Sequence, residues 1–144
     1  MTAWELPGAH VIELAVEPQD IDAYGHVNNA VYLTWLDRVA WSHSAALGIP
    51  VERCVERRRG MAAQRIEIEY LKAALAGDAV ALGTWIVASD ARLRVVRRFQ
   101  VRRVGDGATL ARARVDYVCI NLDSGRAARM PEEFVHAYVA GAPP

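Results

Sequence analysis

Residues 20–32 read Asp-Ile-Asp-Ala-Tyr-Gly-His-Val-Asn-Asn-Ala-Val-Tyr, placing two carboxylates, a glycine, an imidazole and two carboxamides just ahead of an apolar pattern with helical spacing. A carboxylate held beside a helix start can act as general base or nucleophile toward a bound carbonyl. The unpaired N–H groups of the first helical turn can polarise that carbonyl and hold its oxyanion. The candidate carboxylates are Asp20 and Asp22. The same residues can instead do no more than cap or charge the helix start, which is favourable by roughly 0.3–1 kcal/mol. Gly25 would let the backbone approach a ligand with no Cβ in the way. His26 carries an imidazole, which can move a proton or can simply hydrogen-bond within its loop. Asn28 and Asn29 are placed to cap the helix, to position a water or to bond a ligand carbonyl.

These residues need elements to hold them. Alternation over residues 9–17 predicts a strand that Pro18 ends. From about Ala30 to Leu47, apolar residues at Tyr32, Trp35, Leu36, Val39, Ala40, His43 and Leu47 predict a long helix with one wide apolar face, stopped at Gly48-Ile49-Pro50. Tyr32, Trp35 and Trp41 read as core or pocket wall. Residues 51–59 read as polar and irregular. After Gly60 the period becomes two, with Gln64, Ile66, Ile68 and Tyr70 facing one way and Arg65, Glu67 and Glu69 the other. Further strands follow, separated by turn signals at Gly77-Asp78, Ser89-Asp90 and Gly105-Asp106-Gly107. They run through Val80–Ile86, about Arg92–Val104 and about Thr109–Ile120. Pro131 opens a short helix to about Tyr138. The expected fold class is α+β, an antiparallel five-stranded sheet whose last four strands are joined by hairpin-like links, with one long helix on one face. The other face, rich in Arg and Glu, is expected to meet water.

Composition narrows the chemistry. The chain has 144 residues, the size of a single domain over 1–144. Its 17 basic and 17 acidic residues balance to zero, which argues against nucleic acid as the main partner. No segment approaches a membrane span, and the N-terminus has neither a basic start nor an apolar run, so the expected location is cytoplasmic, with no membrane partner. The arginine runs at Arg57–Arg59 and over Arg92–Arg103 read as solvated faces, or as a patch for the phosphates of a small anionic ligand. Cys54 and Cys119 have neither a disulfide framework nor metal spacing, and His10, His43 and His136 show no ligand spacing with His26, so no metal site is expected. There is no Gly-x-Ser-x-Gly elbow and no phosphate-binding loop with lysine, so serine-hydrolase and nucleotide chemistry lack support.

The stretch Asp22-Ala-Tyr-Gly-His-Val-Asn-Asn-Ala-Val-Tyr32 resembles the signature of hotdog-fold acyl-CoA thioesterases of the 4-hydroxybenzoyl-CoA thioesterase type. The likeness extends through Trp35-Leu-Asp-Arg38, Glu69-Tyr70, Gly77-Asp78 and Asn121-Leu-Asp-Ser-Gly-Arg126 to Pro131-Glu-Glu-Phe134. It departs at Leu71-Lys72-Ala73-Ala74, where many relatives carry a proline after the tyrosine, and it offers no firm match to the second acid used by another branch. The resemblance implies a sheet wrapped around one central helix, homodimers or homotetramers, and hydrolysis of an acyl-CoA or acyl-carrier-protein thioester without cofactor. It implies Asp22, His26 and Asn29 as catalytic residues, Asp22 being base or nucleophile. Tyr24, Gly25, Asn28 and Tyr32 are implied as substrate-binding residues. The alternatives on the same fold are a non-catalytic acyl-CoA binding module and a hydratase.

Overall fold

The computed structural model describes residues 4–141. Strand β1 (His10–Ala15) leads through a 3-10 turn (Pro18–Asp20) to helix α1 (Asn29–Ala46). Helix α2 (Val51–Arg57), strands β2 (Arg59–Tyr70), β3 (Ala79–Ser89), β4 (Arg94–Arg103) and β5 (Thr109–Asn121), and helix α3 (Glu132–Ala137) follow. All five strands join one antiparallel sheet in the order β1-β3-β4-β5-β2. No helix among the described residues is long and apolar enough to cross a membrane.

The long helix forms where its periodicity places it. Tyr32, Trp35, Leu36, Val39 and Ala40 make one buried stripe, packed against Leu82, Phe99, Val101, Ala113 and Val115 of the sheet. Each large side chain removed from water in this way contributes about 1.5–3 kcal/mol before the entropy of ordering is counted. The sheet therefore fixes the start of α1, and with it the loop that precedes it.

Three expectations are corrected. First, the strand links are not all hairpins: β3–β4 and β4–β5 are, but β2 lies at the far edge beside β5. The link over residues 71–78 therefore runs from one edge of the sheet to the far side of β4, and on its way it docks the signature loop, Val27 N–H donating to the Ala74 carbonyl at 2.9 Å. Second, residues 51–57 are helical. Only Cys54 of α2 is buried while Val51 and Val55 are exposed, so one packed turn gives almost no periodicity to read. It joins Ile49, Phe134 and Tyr138 in a second core at the other end of the sheet.

Third, the outer face of the sheet is not all wetted. Trp85 and Gln100 are only 3% and 1% exposed there, because residues 4 and 5 lie across them. Trp4 stands edge-on to Trp85 at 6.1 Å, with the Arg102 guanidinium 4.9 Å from the Trp4 ring. The Glu5 carboxylate pairs with Arg98 at 3.2 Å and Arg112 at 2.8 Å. Gly83 makes this possible, since a Cβ there would come within 2.6 Å of Trp4. Glu67 and Glu69 of β2 do face solvent. Gln64 is the extra residue of a bulge between Ala63 and Arg65, so the predicted inner face of β2 holds from Ile66 through Ile68 to Tyr70.

Candidate active site

The signature loop is closed by its own acid. The Asp22 N–H donates to the His26 carbonyl at 2.7 Å, and Gly25 N–H returns to the Asp22 carbonyl at 3.1 Å. Asp22 Oδ1 accepts the backbone N–H groups of Tyr24 at 2.8 Å and His26 at 3.2 Å. Gly25 has φ +80, a conformation that costs glycine nothing. The second carboxylate oxygen, Oδ2, has no hydrogen-bond partner among the described residues, and the residue is half-buried. Asp20 is committed elsewhere: its Oδ2 accepts the Glu17 N–H at 2.8 Å and secures the 3-10 turn.

The start of α1 is just as specific. Asn28 is the cap, its Oδ1 accepting the Ala30 N–H at 2.9 Å. Its own N–H is consumed by the Asp20 carbonyl at 2.8 Å, and Val31 N–H turns to the Asn28 carbonyl at 2.9 Å. The first-turn amide left without an acceptor among the described residues is that of Asn29. The Asn28 N–H is thus already bonded, whereas the Asn29 N–H is open to an acceptor. Opposite, the Asn29 carbonyl accepts the Tyr70 hydroxyl at 2.8 Å. Two features therefore survive with open valence on one short loop: Asp22 Oδ2 and the Asn29 N–H.

Around them, His26 and Tyr24 are exposed, Tyr24 to 86%. The His26 backbone bridges to Leu75, and its ring has no hydrogen bond among the described residues. Tyr32 lies deeper, 1% exposed, its hydroxyl accepting the Ala74 N–H at 2.9 Å. Its ring packs 5.0 Å from Trp35 and 5.1 Å from Tyr70. Tyr32 therefore supports the loop from below.

The supporting parts were missed from sequence. Nothing in the sequence assigns Tyr70 a contact with the helix start, although its alternation with Ile66 and Ile68 puts it on the helix side. Arg103, grouped with a solvated arginine run, anchors the 71–78 link: its Nε donates to Asp78 Oδ2 at 3.0 Å and its Nη2 to the Ala73 carbonyl at 2.8 Å. Asp78 in turn accepts the Leu75 N–H at 2.9 Å. Arg57 pairs with Glu133 and Arg58 with Asp123, so two members of that run already hold carboxylates of the same chain. Both cysteines are buried, and burial pushes the Cys119 thiol up to about 11.

The described fold matches a hypothetical protein of Thermus thermophilus with TM-score 0.82 and 24% identity, covering 90% of this chain and 96% of that one. It matches the 1,4-dihydroxy-2-naphthoyl-CoA thioesterase of Synechocystis with TM-score 0.81 and 20% identity, covering 91% and 96%. A hypothetical protein of Staphylococcus aureus, solved in complex with CoA, matches with TM-score 0.83 and 18% identity, covering 90% and 81%. No curated protein matches in sequence. The model of the thioesterase-like superfamily matches residues 16–138, most of the chain including the whole signature loop, and the chain belongs to that superfamily.

Proposed function

We propose that the protein hydrolyses an acyl-CoA or acyl-carrier-protein thioester to a free acid and a thiol. In this reading the thioester carbonyl oxygen faces the Asn29 N–H. Asp22 Oδ2 takes the proton of a water whose oxygen attacks the carbonyl carbon, or attacks that carbon itself to form an acyl-aspartyl anhydride that a water then hydrolyses to the free acid, restoring the carboxylate. The C–S bond then breaks and the leaving thiolate takes up a proton passed through the His26 ring, which has no hydrogen bond among the described residues and is reprotonated from solvent as Asp22 returns its proton to solvent. The observation that carries the reading is the presence, on one short loop, of a helix-start amide and a carboxylate oxygen that both lack a hydrogen-bond partner among the described residues, in a chain of this superfamily. The CoA-bound and naphthoyl-CoA-cleaving neighbours support CoA as the carrier.

The test is release of free thiol from a panel of aromatic, short-chain and long-chain acyl-CoA thioesters. Release from at least one of them at rates well above the uncatalysed reaction is expected. A specific observation favours a second reading, binding without hydrolysis: Asp22 already shapes its loop through Oδ1. Tight acyl-CoA binding with no thiol release would establish that reading instead.

The working unit in this proposal is a homodimer or homotetramer. The 12-residue strand β2 has one unpaired edge, and it exposes Ile66 to 46% and Tyr70 to 41%, a surface that another chain would pair with and cover. Light scattering on the eluted protein should give at least twice the 15.9 kDa chain mass.

A further inference from the structure

Arg97 stands where the sheet is dry. It lies on the helix-facing side of β4, in register with Ile86 and Val115, and is 4% exposed. Its Nη1 lies 2.7 Å from His43 Nδ1 and its Nη2 donates to Ser44 Oγ at 3.0 Å. The Tyr138 ring lies 5.9 Å from the guanidinium carbon, and the Tyr138 hydroxyl donates to the same Ser44 Oγ at 3.0 Å. Every one of these partners is a neutral dipole. Burial, with Arg97 and His10 beside it, lowers the His43 pKa to about 4, so that ring is uncharged at neutral pH. No carboxylate among the described residues lies within 4.0 Å of Arg97. A guanidinium carries five N–H donors, and of these Nε–H has no acceptor among the described residues.

A buried cation without a counter-charge costs several kcal/mol of desolvation that dipoles only partly offset. The neighbouring space suggests where the counter-charge comes from. Arg97 lines a cavity of about 60 Å³ together with Met61, Val95, Tyr117 and Tyr138, with Asp37 at its rim. That is several times the space one water needs. Asp37 and Tyr117 also line an apolar groove between α1 and β2 that includes Leu33, Ile66 and Val115. The groove begins at Leu33, one helical turn from Asn29. Asp37, about 12 Å along the axis from Asn29 at 1.5 Å per residue, stands where groove and cavity meet. Asp37 is exposed and acts on Tyr117, whose pKa it helps raise behind the larger effect of burial; it forms no ion pair with Arg97 within 4.0 Å, which leaves the guanidinium available to a second carboxylate.

We propose that this cavity is the far end of the acyl pocket and that Arg97 selects acyl groups ending in a carboxylate, the ω-carboxyacyl thioesters. The inference rests on the thioesterase reading only for the position of the scissile bond. The apolar groove holds the methylene chain, and the terminal carboxylate receives the free N–H groups of Arg97 as charge-assisted hydrogen bonds.

The experiment compares ω-carboxyacyl-CoA thioesters with methyl-ended acyl-CoA thioesters of equal chain length, across a length series, on wild-type protein, Arg97→Met and Arg97→Lys. Wild type should prefer the carboxy-ended partner by about tenfold or more in kcat/KM at the best length, a charged hydrogen bond being worth roughly 1.5–3 kcal/mol. Arg97→Met should lose the preference, its kcat/KM falling about tenfold further on carboxy-ended than on methyl-ended substrates, and Arg97→Lys should restore part of it. Equal rates on both series in wild type, or equal losses on both in Arg97→Met, would overturn the proposal. Calorimetric binding of the free dicarboxylic acid and the free monocarboxylic acid makes the test independent of turnover. Should no thioester be cleaved, selective binding of the dicarboxylic acid by wild type and not by Arg97→Met still upholds the Arg97 subsite, and its absence refutes it.

Discussion

Replacing Asp22 separates its two tasks. Asp22 Oδ1 accepts two backbone N–H groups, from Tyr24 and His26, and so closes the loop, while Oδ2 is the proposed base. Asn has the same shape and keeps a carbonyl oxygen in the Oδ1 position, so Asp22→Asn should retain both loop bonds. It puts an NH2 where the base was, which removes general-base or nucleophilic assistance and should lower kcat by about 10²–10⁴-fold. Asp22→Ala removes both acceptors as well. With the two amides solvent-accessible, that loss should be about 1–2 kcal/mol, which lowers Tm by several degrees for a chain of this length. The assay is free-thiol release with the best acyl-CoA, run beside thermal unfolding of wild type and both variants. The expected pattern is Asn inactive but as stable as wild type, and Ala inactive and less stable. If Asp22→Asn keeps thiol release within a fewfold of wild type, Asp22 is a loop residue only and the proposed mechanism is wrong.

Other parts of the fold give further outcomes. The folded-state pKa of His43, about 4 against 6.5 for the free side chain, means the unfolded chain binds the extra proton first as pH falls. Stability should therefore be full above pH 6.5 and decline toward pH 4, by on the order of 1 kcal/mol once solvent screening is allowed for; urea unfolding across that range would show it, and His43→Gln should flatten it. Tyr70→Phe removes the hydroxyl that donates to the Asn29 carbonyl and should cost about 0.5–1.5 kcal/mol in urea unfolding, with a reduced thiol-release rate if the α1 start shifts. Gly83→Ala places a methyl 2.6 Å from Trp4, so residues 4 and 5 should lift from the sheet and tryptophan emission should move to the red.

What was legible in the sequence was whatever expresses itself as periodicity or as a local turn. The stripe Tyr32, Trp35, Leu36, Val39 gave α1 to within a residue of its observed ends, and Gly105-Asp106-Gly107 gave the β4–β5 hairpin. Strand order was not legible, because β2 and β5 meet across a separation of dozens of residues and nothing local in either says which edge the other occupies. The family signature carried the loop, and among the described residues Asp22 Oδ2 and the Asn29 N–H have no partner there. Asp20 and Asn28 differ from them by the local backbone groups each one meets, the Glu17 and Ala30 N–H groups, and residue types alone do not say which of two neighbouring acids or amides takes such a bond.

The arginines show why charge alone misleads about a face. One run, Arg92–Arg103, reads as a solvated strand exterior, yet its members have four different fates. Arg98 pairs with Glu5 on the outer face, and Arg102 lies over the Trp4 ring. Arg103 fastens the link under the active loop through Asp78. Arg97 turns inward to the dry side of the same strand. Alternation forces this: on a strand with period two, Arg97 must share a face with Phe99 and Val101, and both of those are core. An arginine at a position whose neighbours two residues on are buried apolar side chains is thus already marked, in sequence, as a cation taken out of water. Evolution tolerates that cost where something compensates it. In this chain the described residues in direct contact with Arg97 supply only dipoles, which in the proposed reading leaves the compensating charge to whatever enters the cavity beside Tyr117.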